Sequence, residues 1–177
     1  MITIETVSER YQQAWLQLYQ EAFPAYERFD WTKLDQLAKE NIIQLRALVD
    51  RQTDHLVGLA VLVELANGGA YLLYFAIVKA GRGQGLGGQA ITSLKKQYPA
   101  GIILECEKRD ARAENANQRE RRYAFYLAHG FEDTRYLAHN QDADFHLLRS
   151  AKQVMIADYV WATEQIQLPT QIKSGLN

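Results

Sequence analysis

The sequence predicts a mixed α/β domain with one βαβ crossover at its centre. Three observations carry that prediction. Short apolar or alternating segments recur along the chain and are interleaved with stretches of helical period. A glycine-rich turn leads from an apolar strand into a helix and on to a second apolar strand, a connection that is right-handed by the usual rule. The length of 177 residues, with 47% hydrophobic and 23% charged side chains, suits one globular domain. A chain of this size buries roughly 70% of its unfolded surface without a disulfide or a metal.

Taken in order, residues 1–7 alternate apolar and polar and read as a strand. Thr6 and Glu9 have capping-box spacing, and Tyr11, Trp15, Leu18 and Ala22 then share a helical face until Pro24 ends the pattern. A shorter helix over 31–40 follows, with Asp30 as its cap. Residues 42–49 and 56–65 read as two strands joined by a polar turn. Asn67-Gly68-Gly69 is another turn, and 70–78 is a third, almost wholly apolar strand. Beyond a cluster of glycines, a helix runs through Ala90, Ile91 and Leu94 to Tyr98-Pro99. Residues 101–107 read as a buried strand, and a helix over 115–129 closes on Gly130. Residues 135–138 and 144–149 make a last hairpin. Met155, Tyr159, Ala162 and Ile166 fall on one face of a C-terminal helix.

Composition narrows the partners. With 20 Lys+Arg against 21 Asp+Glu, the net charge of -1 gives no general pull toward nucleic acid or anionic membranes, and neither is expected as a partner. The longest uncharged apolar run, 70–78, is far short of the roughly 20 residues that span a bilayer. Glu5, Glu9 and Arg10 interrupt the N-terminal stretch before a signal-peptide core forms. The single cysteine, Cys106, allows no internal disulfide and fits a reducing compartment. A cytoplasmic protein that needs no metal is the expectation.

The segment 76–88 (AIVKAGRGQGLGG) carries most of the chemical information. Glycines at a strand-to-helix turn free several backbone N–H groups, and the positive end of the helix dipole adds to them, so the junction suits a phosphate. Gly83, Gly85 and Gly88 satisfy G-x-G-x-x-G, and Glu105 follows Gly85 by roughly the spacing of a ribose-binding acid. In a dinucleotide fold, however, the first glycine turns straight off the strand, whereas here four residues separate Val78 from Gly83. A Walker P-loop fails because no Gly-Lys-Ser/Thr follows.

Arg82-x-x-Gly85-x-Gly87, entered from an apolar strand, resembles the acetyl-CoA pyrophosphate loop of the GCN5-related N-acetyltransferase (GNAT) family. Residues 124–131 (AFYLAHGF) resemble that family's later helix ending in Tyr-x-x-x-Gly-Phe, and the order of elements over 1–150 matches as well. Arg119 and Arg122 stand where many members carry Asn and Ala. The resemblance implies a GNAT-like, mostly antiparallel sheet with a V-shaped splay between its two middle strands. It implies a GNAT domain over 1–150, with 151–177 a C-terminal helix and tail packed on it.

The resemblance also implies the site. The main chain at Ile77 and Val78 pairs with the pantetheine arm of acetyl-CoA. The loop of Arg82, Gly83, Gln84, Gly85, Leu86, Gly87 and Gly88 holds the pyrophosphate. The reaction is direct transfer of an acetyl group to a primary amine in a ternary complex. Tyr126 occupies the position of the general acid that reprotonates the thiolate. Glu105 and Glu107 alternate to one side of their strand and are candidate bases; the plainer reading of either is an ion pair with Lys108, Arg109 or Arg112. His129 and His146 are weaker candidates. Tyr26, Glu27 and Arg28 lie between the first two helices, a region that lines the acceptor pocket in the family. The acceptor is a small-molecule amine or a peptide amine, and homodimers are common in the family. Two other functions stay open on the residues alone: a non-catalytic acyl-CoA-binding or sensing domain, and an NAD-binding oxidoreductase.

Overall fold

A computed structural model describes residues 1–175, which hold eight strands and five α-helices in the mixed, mostly antiparallel class that the sequence predicts. They divide into two compact units. One comprises Met1–Glu64 and Leu72–Pro99, the other Leu65–Tyr71 and residues 100–175. Among the described residues, no helix is long and apolar enough to cross a membrane.

The first unit holds β1 (Ile2–Thr6), α1 (Glu9–Ala22), α2 (Trp31–Lys39), β2 (Gln44–Asp50), β3 (His55–Glu64), most of β4 (Ala70–Ile77), and α3 (Leu86–Gln97). Its strands lie in the order β1-β2-β3-β4. β1 and β3 both run antiparallel to β2, with Ile4 opposite Leu48 and Ala47 opposite Leu59. Gly58 permits the close approach of β4: a Cβ there would meet the Ala76 carbonyl at 2.6 Å. α1 lies against β3 and α3 against β1. Trp15 is fully buried, and its indole N–H donates to the Arg46 carbonyl at 3.0 Å.

Two local expectations for α1 are corrected. Ser8, not Thr6, is the N-cap, and its side chain makes no capping bond. Thr6 still belongs to β1 and accepts from Arg46 Nη1 at 2.8 Å, so its hydroxyl is committed to the sheet. Tyr19 rather than Ala22 completes the buried face. Asp30 caps α2 as expected, accepting from the Lys33 amide at 2.8 Å.

The second unit holds β5 (Ile102–Glu107), α4 (Ala116–Ala128), β6 (Glu132–Asn140), β7 (Ala143–Arg149), α5 (Ile156–Gln165) and β8 (Gln171–Ser174). Its strands lie in the order β5-β7-β6-β8, every pair antiparallel. The start of β4 belongs here too, and the Ala70 amide donates to the Gly101 carbonyl at 3.0 Å. β6 begins earlier than the sequence suggests, because a bulge between Asp133 and Leu137 with Arg135 at φ 63° masks its alternation. β8 has no counterpart in the sequence reading. Met155 is exposed at the head of α5, leaving Tyr159, Ala162 and Ile166 as the buried face.

Candidate functional site

β4 ends where the Val78 amide donates to the Val57 carbonyl at 2.9 Å, and a short 3₁₀ turn over Lys79–Gly81 follows. Gly83 and Gly85 then adopt left-handed φ of 77° and 76°, and Gly85 opens α3 as its N-cap. The side chains on this loop face back onto it. Arg82 Nε donates to the Ile77 carbonyl at 3.2 Å and Gln84 Nε2 to the Ala80 carbonyl at 2.7 Å. The main chain at Ile77 and Val78 is therefore engaged within its own unit, and Arg82 ties the loop to β4. The loop amides are another matter. The Arg82 amide donates to Lys79 and that of Gln89 to Gly85, but the six from Gly83 to Gly88 find no acceptor among the described residues. Six adjacent donors at a helix N-terminus, with no acidic side chain in the first turn, concentrate positive potential there.

In the second unit, α4 carries Arg119, Arg122 and Tyr126. Tyr126 is buried, with only 6% of its surface exposed. Burial pushes its phenol well above the ordinary range, the nearby Cys106 adds to this, and Arg122 opposes it. Of the eight buried tyrosines, the hydroxyls of seven are hydrogen-bonded. Tyr126 is the exception among the described residues. Cys106 is sealed in the core, and burial pushes its thiol up to about 12.

The two carboxylates of β5 are held by different elements. Glu107 pairs with Arg122, lies 3.6 Å from Arg119 Nε and accepts from Asn115 Nδ2 at 3.3 Å. The ion-pair partners expected for it, Lys108, Arg109 and Arg112, go elsewhere: to Asp144, Glu120 and Asp110. Glu105 Oε1 accepts from the Tyr71 hydroxyl at 3.1 Å, from Asn140 Nδ2 at 2.9 Å and from the Tyr159 hydroxyl. The Tyr159 phenol is pushed up by burial and by the carboxylate beside it. His146 lies 3.1 Å from Asp133, which also accepts from the Tyr123 hydroxyl at 2.8 Å. Burial lowers the His146 pKa despite that carboxylate. His129 closes onto the Phe125 carbonyl at 2.7 Å. Among the described residues, no group of three or more His, Cys, Asp and Glu side chains could hold a metal ion.

The profile of the acetyltransferase (GNAT) family matches residues 7–131. The chain belongs to the GNAT acetyltransferase family. A search of curated proteins finds no match. Solved structures share the GNAT fold at low identity. A protein from Bacteroides thetaiotaomicron, described as an acetyltransferase of the GNAT family, is 20% identical with a TM-score of 0.73, over 93% of this chain and 96% of its own. An aminoglycoside 6'-N-acetyltransferase complexed with coenzyme A is 16% identical, with a TM-score of 0.63 over 83% and 95%. Arabidopsis thaliana Naa50, in complex with the bisubstrate analogue CoA-Ac-MVNAL, is 16% identical, with a TM-score of 0.59 over 84% and 97%.

The GNAT segment between α1 and α2 is also defined. Tyr26 is 74% exposed. On β4, Tyr74 donates its hydroxyl proton to the Glu27 carbonyl at 2.7 Å and accepts from the Phe29 amide at 3.1 Å. The sequence reading did not single out Tyr74 or the partners of Glu105. Asn140 and Thr163 are the buried polar residues of the described core, which is visible only once the chain is folded.

Proposed function

We propose that this GNAT protein transfers the acetyl group of acetyl-CoA to a primary amine by direct attack in a ternary complex. The observation that carries the proposal is the row of six backbone donors, Gly83 to Gly88, that lack acceptors at the head of α3. Their number and potential suit a pyrophosphate, which is what CoA offers. A dinucleotide has one too, but the GNAT family membership favours CoA.

Within this proposal, Gly83, Gln84, Gly85, Leu86, Gly87 and Gly88 bind the pyrophosphate through their amides. Arg82 braces the loop and adds positive charge beside it. The main chain at Ile77 and Val78 receives the pantetheine arm once its present hydrogen bonds are exchanged. The amine lone pair attacks the thioester carbonyl, the C–S bond breaks, and Tyr126 returns a proton to the departing thiolate. With no acceptor among the described residues, the Tyr126 hydroxyl is free to turn toward the thiolate, unlike those of the other buried tyrosines. The proton lost by the attacking ammonium goes, directly or through water, to a β5 carboxylate. Glu107 is committed to two guanidiniums, whereas the named donors to Glu105 are neutral, so Glu105 is the better of the two candidates. Tyr26, Glu27 and Arg28 meet the acceptor. The relatives named for aminoglycoside acetylation and for a peptide-bearing CoA analogue support an amine acceptor of either size.

Thermal unfolding with acetyl-CoA, CoA and NADH in parallel tests the proposal. A ligand at 100 times its Kd adds about 2.7 kcal/mol, a shift of several degrees for a domain of this size. Stabilisation by acetyl-CoA and CoA with none by NADH is expected. Stabilisation by NADH alone replaces the proposal with a dinucleotide site on Gly83, Gly85 and Gly88. Tight CoA binding with no amine acetylated across a broad panel replaces it with a CoA-binding domain.

A further inference from the structure

The segment 23–30 joins α1 to α2 and holds no α-helix or strand, and the Glu27 amide within it donates to the Pro24 carbonyl at 3.0 Å. Its shape is imposed from outside. The Tyr74 hydroxyl reaches it twice, donating to the Glu27 carbonyl and accepting from the Phe29 amide. The Tyr19 hydroxyl, from α1, donates to the Phe29 carbonyl at 3.0 Å. Both main-chain polar groups of the buried Phe29 therefore end on tyrosine hydroxyls. Aromatic rings set the side chains: Phe23 packs 4.9 Å from the Tyr74 ring, Tyr19 meets that ring edge-on at 5.1 Å, and the Lys33 ammonium sits 3.8 Å above Phe29. Between these anchors Tyr26 stands in solvent.

A phenylalanine would fill the core position of Tyr74 equally well. What the hydroxyl adds is a fixed separation between Glu27 and Phe29, because one oxygen serves as donor to the first and acceptor from the second. Buried main-chain groups that lose their partners cost free energy, so losing the hydroxyl loosens the connector at Glu27 and Phe29. We propose that Tyr74 is a positioning residue for the amine acceptor, its hydroxyl clamping Glu27 to Phe29 so that Tyr26, Glu27 and Arg28 present one fixed surface to the amine. The inference rests on the amine acetyltransferase function proposed above.

Steady-state kinetics of Tyr74→Phe test it, with spermidine, kanamycin and a short peptide bearing a free N-terminus as amine probes. The variant keeps the ring and loses the clamp. The expected result is a rise of about tenfold in KM for the amine, the worth of one or two hydrogen bonds, with kcat and the Kd for acetyl-CoA within about twofold of wild type. Tyr19→Phe, which releases the Phe29 carbonyl, shifts the same KM in the same direction and serves if Tyr74→Phe does not fold. Tyr98→Phe, whose hydroxyl bonds Glu64 at 3.1 Å, leaves the amine KM unchanged. Hydrogen exchange needs no acceptor: the Phe29 amide should exchange faster in Tyr74→Phe. An unchanged amine KM or an unchanged Phe29 exchange rate overturns the inference while leaving the function standing. A wild-type protein that binds acetyl-CoA but acetylates no amine across a broad panel overturns both.

Discussion

The glycine loop and the cluster around Glu105 treat hydrogen bonding in opposite ways. Between Gly83 and Gly88, six adjacent donors have no acceptor among the described residues. Around Glu105, three donors from β4, β6 and α5 crowd onto one carboxylate oxygen. The loop lies largely at the surface, where solvent can meet its donors and, in the proposed function, an anion replaces it. The cluster is built from Tyr71, Asn140 and Tyr159, all deeply buried, where an unmet partner would be costly. The same contrast recurs among the tyrosines: seven buried hydroxyls are bonded, and that of Tyr126 has no partner among the described residues. In the proposed function the unsatisfied loop amides and the Tyr126 hydroxyl both meet a reactant, whereas the donors to Glu105 hold that carboxylate in place.

The largest effect should come from the unpaired phenol. Tyr126→Phe is expected to lower kcat about 10²-fold, the scale of a lost general acid, with the Kd for acetyl-CoA and the Tm nearly unchanged. A variant with wild-type turnover would break the link between an unsatisfied hydroxyl and chemistry. Next, Gly83→Val combined with Gly85→Val forces β-branched residues into left-handed φ although their Cβ atoms meet open space. The loop, not the core, then changes. Calorimetry should show the Kd for acetyl-CoA weakened by about tenfold or more, at roughly 1–2 kcal/mol of strain per position; an unchanged Kd would take the cofactor away from this loop.

A smaller effect tests the satisfied side. Tyr159→Phe removes one of the donors to Glu105 and is expected to cost about 1–2 kcal/mol. Its Tm should fall by roughly 2–4 °C per kcal/mol, whereas that of Tyr126→Phe should not. Equal Tm losses in the two variants would erase the distinction. The smallest effect is at Cys106, whose thiol rises from an ordinary value of 9.0 to about 12 through burial. The unfolded chain ionises first, so this group's contribution to stability is intact below about pH 9 and lost progressively toward pH 12. Denaturant midpoints measured across that window should decline, and less steeply in Cys106→Ala.

Much of the fold was legible because its signals are local. Residues 70–77 are apolar enough to declare β4, Asp30 caps α2 from the position its side chain suggests, and Gly130 ends α4 with a φ of 78° that favours glycine. The loop was legible for the same reason, since its glycines and the helix they open are contiguous. What was hidden is held across distance. Tyr71, Asn140 and Tyr159 reach Glu105 from 34, 35 and 54 residues away, and no spacing rule connects them. The true partners of Glu107 lie on the next helix rather than in the adjacent basic run. β8 was missed because four residues with a mostly exposed pattern carry almost no periodicity. Tyr74 looked like another apolar strand residue, as the sequence records a phenol but not the two main-chain groups it reaches.

A row of bare amides does not choose among anions. Sulfate, inorganic phosphate and polyphosphate offer the same oxygens to Gly83–Gly88 that the proposed cofactor would, so on that proposal the buffer becomes a competitor. Affinities measured in phosphate or ammonium sulfate will read weaker than those in a zwitterionic buffer at equal ionic strength. Within the proposed function, the size of that gap reports how tightly the competing anion itself occupies the loop amides.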